Sequence, residues 1–241
     1  MPWVLANFPT QNHAMNRITL FLALVLITLS SCRWMGYKQI TGNGNIETQD
    51  REITRAERIK LAGNYDVEII QGPETSVKVE ADENILPFLI VHEEDGFLVI
   101  KSKNHVSFST EHAIKIFITT NKLEKIHLAG SGNIIGKTKF TGSNKLDLKI
   151  AGSGDITLEV NTPEIEAEIA GSGSITLKGE TRDETIRISG VGDYNAEELK
   201  AENVVVKIAG SGDVKVFADK TLDVNIAGVG SVYYKGSASV K

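Results

Sequence analysis

The chain has 241 residues, 41% hydrophobic and 24% charged, the proportions of a globular protein rather than a disordered one. Lys and Arg number 26 against 31 Asp and Glu, a net charge of −5, so composition offers no basic surface for nucleic acid. The single cysteine, Cys32, excludes an internal disulfide and a cysteine-based metal cluster.

The first element in chain order is an apolar run, L-F-L-A-L-V-L-I-T-L over residues 20–29. It is shorter than the ~20 apolar residues a bilayer span needs, and it suits the apolar core of a secretory signal. Arg17 is the only charge ahead of Cys32, and residues 1–14 read as upstream read-through, with Met15 as the start. The run closes on Leu29-Ser30-Ser31-Cys32, which resembles the lipobox of bacterial lipoproteins. The resemblance implies cleavage before Cys32, diacylation of its thiol and acylation of the new amine. Several acyl chains satisfy the need for more than one lipid signal in stable anchoring. The plainer alternative is an ordinary signal followed by a free buried cysteine. Residues 1–31 are thus expected to be removed and 32–41 to form a lipidated linker. The membrane is the expected partner through this lipid, and the bacterial cell envelope, at the outer membrane, the expected location.

Residues 42–125 read as an irregular β region. I-T-G-N-G-N-I (40–46) has the Gly-x-Gly look of the motifs further along the chain, and L-A-G-N-Y-D-V (61–67) is a degenerate copy in which Asn64 and Tyr65 replace Ser-Gly. Strand-like pieces lie at 77–81, 97–100 and 114–118, and 82–89 reads as a short helical turn before Pro87. Terminal repeats of a solenoid are atypical because they cap the core.

Residues 126–235 carry one motif six times: A-G-S-G-N-I, A-G-S-G-D-I, A-G-S-G-S-I, S-G-V-G-D-Y, A-G-S-G-D-V and A-G-V-G-S-V. Its glycine pairs are Gly130/Gly132, Gly152/Gly154, Gly171/Gly173, Gly190/Gly192, Gly210/Gly212 and Gly228/Gly230, and the first glycines recur every 18–22 residues. Strict alternation flanks them, as in Leu146, Leu148 and Ile150 against Asp147 and Lys149. Period two means strands with one buried face, and Gly-x-Gly supplies a turn or bulge where positive φ is tolerated. A ~20-residue unit of short strands around glycine corners buries its apolar face by stacking. An antiparallel sandwich would want Asn-Gly or Asp-Gly hairpins every 8–12 residues, and this region has neither dipeptide. The reading is a parallel β-helix of six coils at the ~4.8 Å strand spacing, with 236–241 as a tail.

The chain also resembles the bacterial putative auto-transporter adhesin head, or GIN domain, family. The matching residues are Gly42-Asn43-Gly44-Asn45, R-E-I-T-R-A-E-R-I-K-L-A-G-N-Y-D-V-E-I-I-Q-G (51–72), S-V-K-V-E-A-D-E-N-I-L (76–86), G-F-L-V-I (96–100) and the serial A-G-S-G-D-I motifs. The resemblance implies a right-handed β-helix, an envelope location, a role in adhesion and no catalytic residues. Two motifs depart from the pattern by reading G-V-G.

Candidate chemistry is sparse. The position three after each first glycine reads Asn133, Asp155, Ser174, Asp193, Asp213 and Ser231. These side chains either satisfy the backbone at the corner or, at Asp193 and Asp213, form a weak calcium site, although calcium wants six to eight oxygens. His92, His105, His112 and His127 show no metal-ligand spacing and read as solvated. A polysaccharide lyase or hydrolase would need clustered acid and base, and no such cluster stands out. Tyr233 and Tyr234 read as an end cap with one ring inward. Charge ladders are expected across coils, Lys149/Glu168/Arg187 and Lys137/Glu159/Lys178/Glu197. The expected protein is non-enzymatic and needs no cofactor. It binds glycan or an envelope protein, with a structural scaffold lipoprotein as the alternative.

Overall fold

The computed structural model describes residues 38–241; Cys32 and the signal read from the sequence lie outside the described residues. Gln39–Lys241 forms one compact unit. It opens with β1 (Lys38–Thr41), β2 (Ile46–Arg51), β3 (Arg58–Gly63), β4 (Asp66–Gln71) and β5 (Ser76–Asp82). A 3-10 turn at Leu86–Phe88, built on Pro87, leads to β6 (Leu89–Glu94), β7 (Phe97–Ser102), β8 (Val106–Ser109) and β9 (Lys115–Thr120). The repeats supply β10 (Lys125–Gly130), β11 (Asn133–Phe140), β12 (Lys145–Gly152), β13 (Asp155–Asn161) and β14 (Glu164–Gly171). The long strands β15 (Ser174–Gly190), β16 (Asp193–Gly210) and β17 (Val214–Gly228) each run round a coil, and β18 (Val232–Lys235) and β19 (Ser239–Val240) come last. β1 falls in the stretch read as linker, and β19 in the stretch read as tail.

The fold is a right-handed parallel β-solenoid with a less regular N-terminal region. One wall stacks β3, β10, β12, β14 and the C-terminal parts of β15, β16 and β17, all parallel. The other stacks β4, β11, β13, the N-terminal parts of β15 to β17, and β18. Period-two alternation turns Leu148, Ile150, Ile156 and Leu158 inward, all at most 2% exposed, so every coil adds a layer to one continuous core. The degenerate copy at 61–67 is a full member of the stack, because Gly63 lies opposite Gly130 and Asp66 opposite Asn133.

The stacking order departs from chain order at one end. β7 pairs in parallel with β3, and β9 with β4, on the side away from β10 and β11. The chain therefore lays its first coil, adds a rung on that coil's far side, and returns to build the repeats on the near side. Antiparallel strands close this end: β5 runs against β9, β2 against β5, and β6 against β7. An open parallel edge would present unpaired backbone groups, and these strands satisfy them. At the other end Tyr233 and Tyr234 are 56% and 48% exposed, so neither ring is buried as the end cap read from the sequence.

The first charge ladder is in register. Lys149 lies opposite Glu168, and Glu168 opposite Arg187, with Lys149 Nζ 3.3 Å from the Glu168 carboxylate. The second is shifted by bulges. Glu159 does face Lys178, but Lys139 rather than Lys137 stands opposite Glu159, and Glu198 rather than Glu197 opposite Lys178. Register breaks between Ile135 and Lys139 and between Thr176 and Lys178 insert the extra residues. Lys137 and Glu197 then pair elsewhere, with Glu68 and Lys235, each at 3.0 Å.

Candidate functional site

The corner column is set by the glycines. Gly130, Gly152, Gly171, Gly190, Gly210 and Gly228 hold φ between +128° and +149°, a region that side chains penalise. Close approach adds a second demand: a Cβ on Gly152 would sit 2.3 Å from the carbonyl oxygen of Gly130, and one on Gly171 2.2 Å from that of Gly152. Gly132, Gly154, Gly173, Gly192, Gly212 and Gly230 do not take positive φ, yet a Cβ on Gly154 would meet the Gly132 carbonyl oxygen at 2.3 Å. At the first corner Tyr65 occupies the place of this second glycine.

The polar column stacks Asp66, Asn133, Asp155, Ser174, Asp193, Asp213 and Ser231 along one edge. The backbone N–H of Ser174 donates to Asp155 Oδ1 at 3.0 Å, that of Asp213 to Asp193 Oδ1 at 3.0 Å, and that of Ser231 to Asp213 Oδ1 at 3.1 Å. Each carboxylate thus satisfies a corner donor one coil on. Among the described residues no group of three or more His, Cys, Asp and Glu side chains could hold a metal ion.

Three adjoining hollows mark the end where the inserted strands meet the first coil. The central one, of about 480 Å³, lies between the corner Gly63–Asp66 and the stretch Val106–Ile114. A second, of about 390 Å³, shares Ser109 to His112 with it and reaches the Thr41–Gly44 loop. The third, of about 420 Å³, shares Asp66 and runs onto the outer face past Asn133, Ile135 and Asp155. Their walls are held in place. Buried Asp82 accepts hydrogen bonds from the Gly44 N–H at 2.6 Å and the Thr110 hydroxyl at 2.5 Å. The Thr110 hydrogen bond, with the Gly44 N–H and nearby His112, holds this carboxyl below its ordinary value against its own desolvation. The Thr110 hydroxyl oxygen in turn accepts the His112 N–H at 3.1 Å. Tyr65 is buried, its hydroxyl bonded to Ser102, and burial pushes its pKa up.

Two further groups break the apolar pattern. Glu184, 1% exposed, stands where Ile165 and Val204 stand in adjacent coils. Tyr194, fully buried on the opposite wall, lies between Ile175 and Val214 and donates its hydroxyl to Glu184 Oε1 at 2.6 Å, while Oε2 has no partner. Burial pushes the Glu184 carboxyl up to about 8, the tyrosine hydrogen bond opposing it only in part. The signal in the sequence was a carboxylate on the apolar beat. On the outer face, the His127 ring meets Phe97 at a tilt, 5.4 Å between ring centres, and Arg58 and Lys60 lie over the same ring at 4.4 and 4.1 Å. Burial lowers the His127 pKa, Asp147 opposing it. His127 is therefore half-buried, unlike the solvated side chain read from the sequence, whereas His105 and His112 are exposed.

Fold and corners together define a capped right-handed β-solenoid with serial glycine corners. The chain belongs to the family described as putative auto-transporter adhesin, head GIN domain, whose model matches residues 56–238. A crystal structure described as a putative lipid binding protein from Parabacteroides distasonis ATCC 8503 is similar, with 29% identity and a TM-score of 0.72 over 85% of this chain and 95% of that one. A putative adhesin of the same organism is 25% identical, with a TM-score of 0.70 over 85% and 95% of the two chains. A putative adhesin from Bacteroides fragilis NCTC 9343 shares the fold at 24% identity and a TM-score of 0.78, over 84% and 94%. No curated protein sequence matches this chain.

Proposed function

We propose that this protein is a lipid-anchored adhesin of the bacterial cell envelope, tethered through Cys32 and non-catalytic, that binds glycan or protein through its solenoid. The observation that carries the adhesion reading is membership of the adhesin-head family over residues 56–238. The tether rests on Leu29-Ser30-Ser31-Cys32, with the lone cysteine at the lipobox position. The mature chain then starts at Cys32, and the outer membrane is the destination. The solenoid's mixed-charge outer walls favour partners other than polyanions, since paired ladders such as Lys149/Glu168 leave no strong field.

The experiment expresses the native chain and Cys32→Ser in an outer-membrane-bearing host. The native chain is expected to partition into detergent with a mass increased by acyl chains, and the variant to accumulate as unlipidated precursor. Cells bearing the native chain should adhere to a glycan- or protein-coated surface, and cells bearing the variant should not. Equal detergent partitioning and equal mass for the two would refute the tether. Adhesion no greater than that of cells without the protein would refute the adhesion reading.

A further inference from the structure

We propose that the adjoining hollows at the first corner bind a short run of sugar residues from an uncharged polysaccharide; this deepens the adhesion reading and rests on it. The three hollows adjoin: the central one shares Ser109 to His112 with one neighbour and Asp66 with the other. At about 390–480 Å³ each, they fall within the range of small-ligand sites. Side by side they offer a trough of successive places for a linear ligand of about three units.

The lining selects the ligand. Exposed hydroxyls of Ser107 and Ser109 and the Asn64 amide offer donors and acceptors together, the complement of a polyol. The carboxylates of Asp66 and Glu111 accept from hydroxyls. Ile135, 40% exposed, supplies apolar surface for the C–H face of a sugar ring.

Charge excludes the obvious competitors. With Glu68 paired to Lys137 at 3.0 Å, Asp66, Glu111 and Asp155 still outnumber Lys115 and His112 along the trough, and no arginine lines it. Lys115 is already held by Glu80 at 3.4 Å. A phosphate, sulfate or uronate chain would meet net repulsion and find no bidentate partner.

The trough is also preorganised, since Asp82 ties the Thr110 and Gly44 loops together from below, so little ordering cost falls on binding. It lies where the repeat breaks: Tyr65 replaces the corner glycine, and the inserted β8 supplies the wall. The later corners keep the plain glycine geometry.

The test titrates the full chain, purified in detergent, with maltotriose, mannotriose and chitotriose as uncharged probes and trigalacturonate as the anionic one. At least one uncharged trisaccharide is expected to bind saturably, and trigalacturonate at least tenfold more weakly. Ser107→Trp, which places a ring in the trough from an exposed strand position, should weaken binding at least tenfold. Glu111→Ala, at an exposed loop residue, should do the same with unchanged thermal unfolding. Ser211→Trp, on a distant exposed corner, should bind as the native chain does. Absence of binding by all three uncharged probes, equal binding of trigalacturonate, or unchanged affinity in both trough variants would overturn the proposal. Binding in detergent solution depends on neither lipid tether nor cell attachment. Cells that still adhere while carrying both trough changes would therefore sink the trough and leave the adhesion reading standing.

Discussion

Glu184→Gln is expected to change how the stability of this protein depends on pH, not merely its value at one pH. In the fold the Glu184 carboxyl is enclosed by the core, with Tyr194 as its one hydrogen-bond partner and a folded pKa of about 8, against 4.5 as its ordinary value. Below pH 4.5 both the folded and unfolded chains carry the proton, and this group opposes folding least. Between 4.5 and about 8 the unfolded chain ionises while the folded chain stays protonated, so stability falls steadily as pH rises. Above about 8 both forms are ionised and the loss is complete. At 1.36 kcal/mol per pKa unit, the interval from 4.5 to about 8 corresponds to a loss on the order of 5 kcal/mol. The glutamine of the variant cannot ionise; its amide leaves a buried donor unpaired at a cost of roughly 1–3 kcal/mol that does not vary with pH. Urea unfolding of both proteins at about pH 4.5, 7 and 9, spanning the titration, measures the difference. The stability of the native chain relative to the variant should fall by several kcal/mol from the acid to the alkaline end. Asp82 and Glu93, whose carboxyls are held below their ordinary values, add a separate acid-side loss to both proteins. That loss cancels in the comparison. A gap constant to within about 0.5 kcal/mol across the range would refute the linkage.

The corner column makes Gly171→Ala destabilising by roughly 1–3 kcal/mol through backbone strain, with the clash against the Gly152 carbonyl oxygen adding to it; unchanged thermal unfolding would show that the corner relaxes freely. Glu168→Lys puts a third like charge between Lys149 and Arg187. It should cost only about 0.2–1 kcal/mol at low salt and less in about 1 M salt, and a salt-independent loss would point to packing instead. Calcium at millimolar concentration should leave the melting temperature unchanged, because Asp193 and Asp213 are engaged with corner N–H groups. A rise abolished by Asp213→Asn would make the column a cation site.

The repeat architecture was legible because its cause is local. Alternation such as Leu146, Leu148 and Ile150 against Asp147 and Lys149 requires a strand buried on one face. The glycine spacing requires the corners to recur once per coil, and the Lys149/Glu168/Arg187 register came from that spacing alone. The second ladder failed where it crossed bulges at Ile135–Lys139 and Thr176–Lys178, since spacing in the chain does not reveal which residue a strand loops out.

Tertiary structure alone decided the rest. The insertion of β7 and β9 on the far side of β3 and β4 reverses stacking order against chain order, and no local pattern carries that information. Parallel and antiparallel strands share the same period, so the capping role of β2, β5 and β6 lay in their partners. The trough unites Tyr65 and Asp66 with Ser107 to His112, some 40 residues on, and the Glu184–Tyr194 bond joins opposite walls. A repeating sequence determines what each coil must bury. Which irregular segments meet at its end, and which polar groups the core then encloses, is determined by the long-range pairing that closes it.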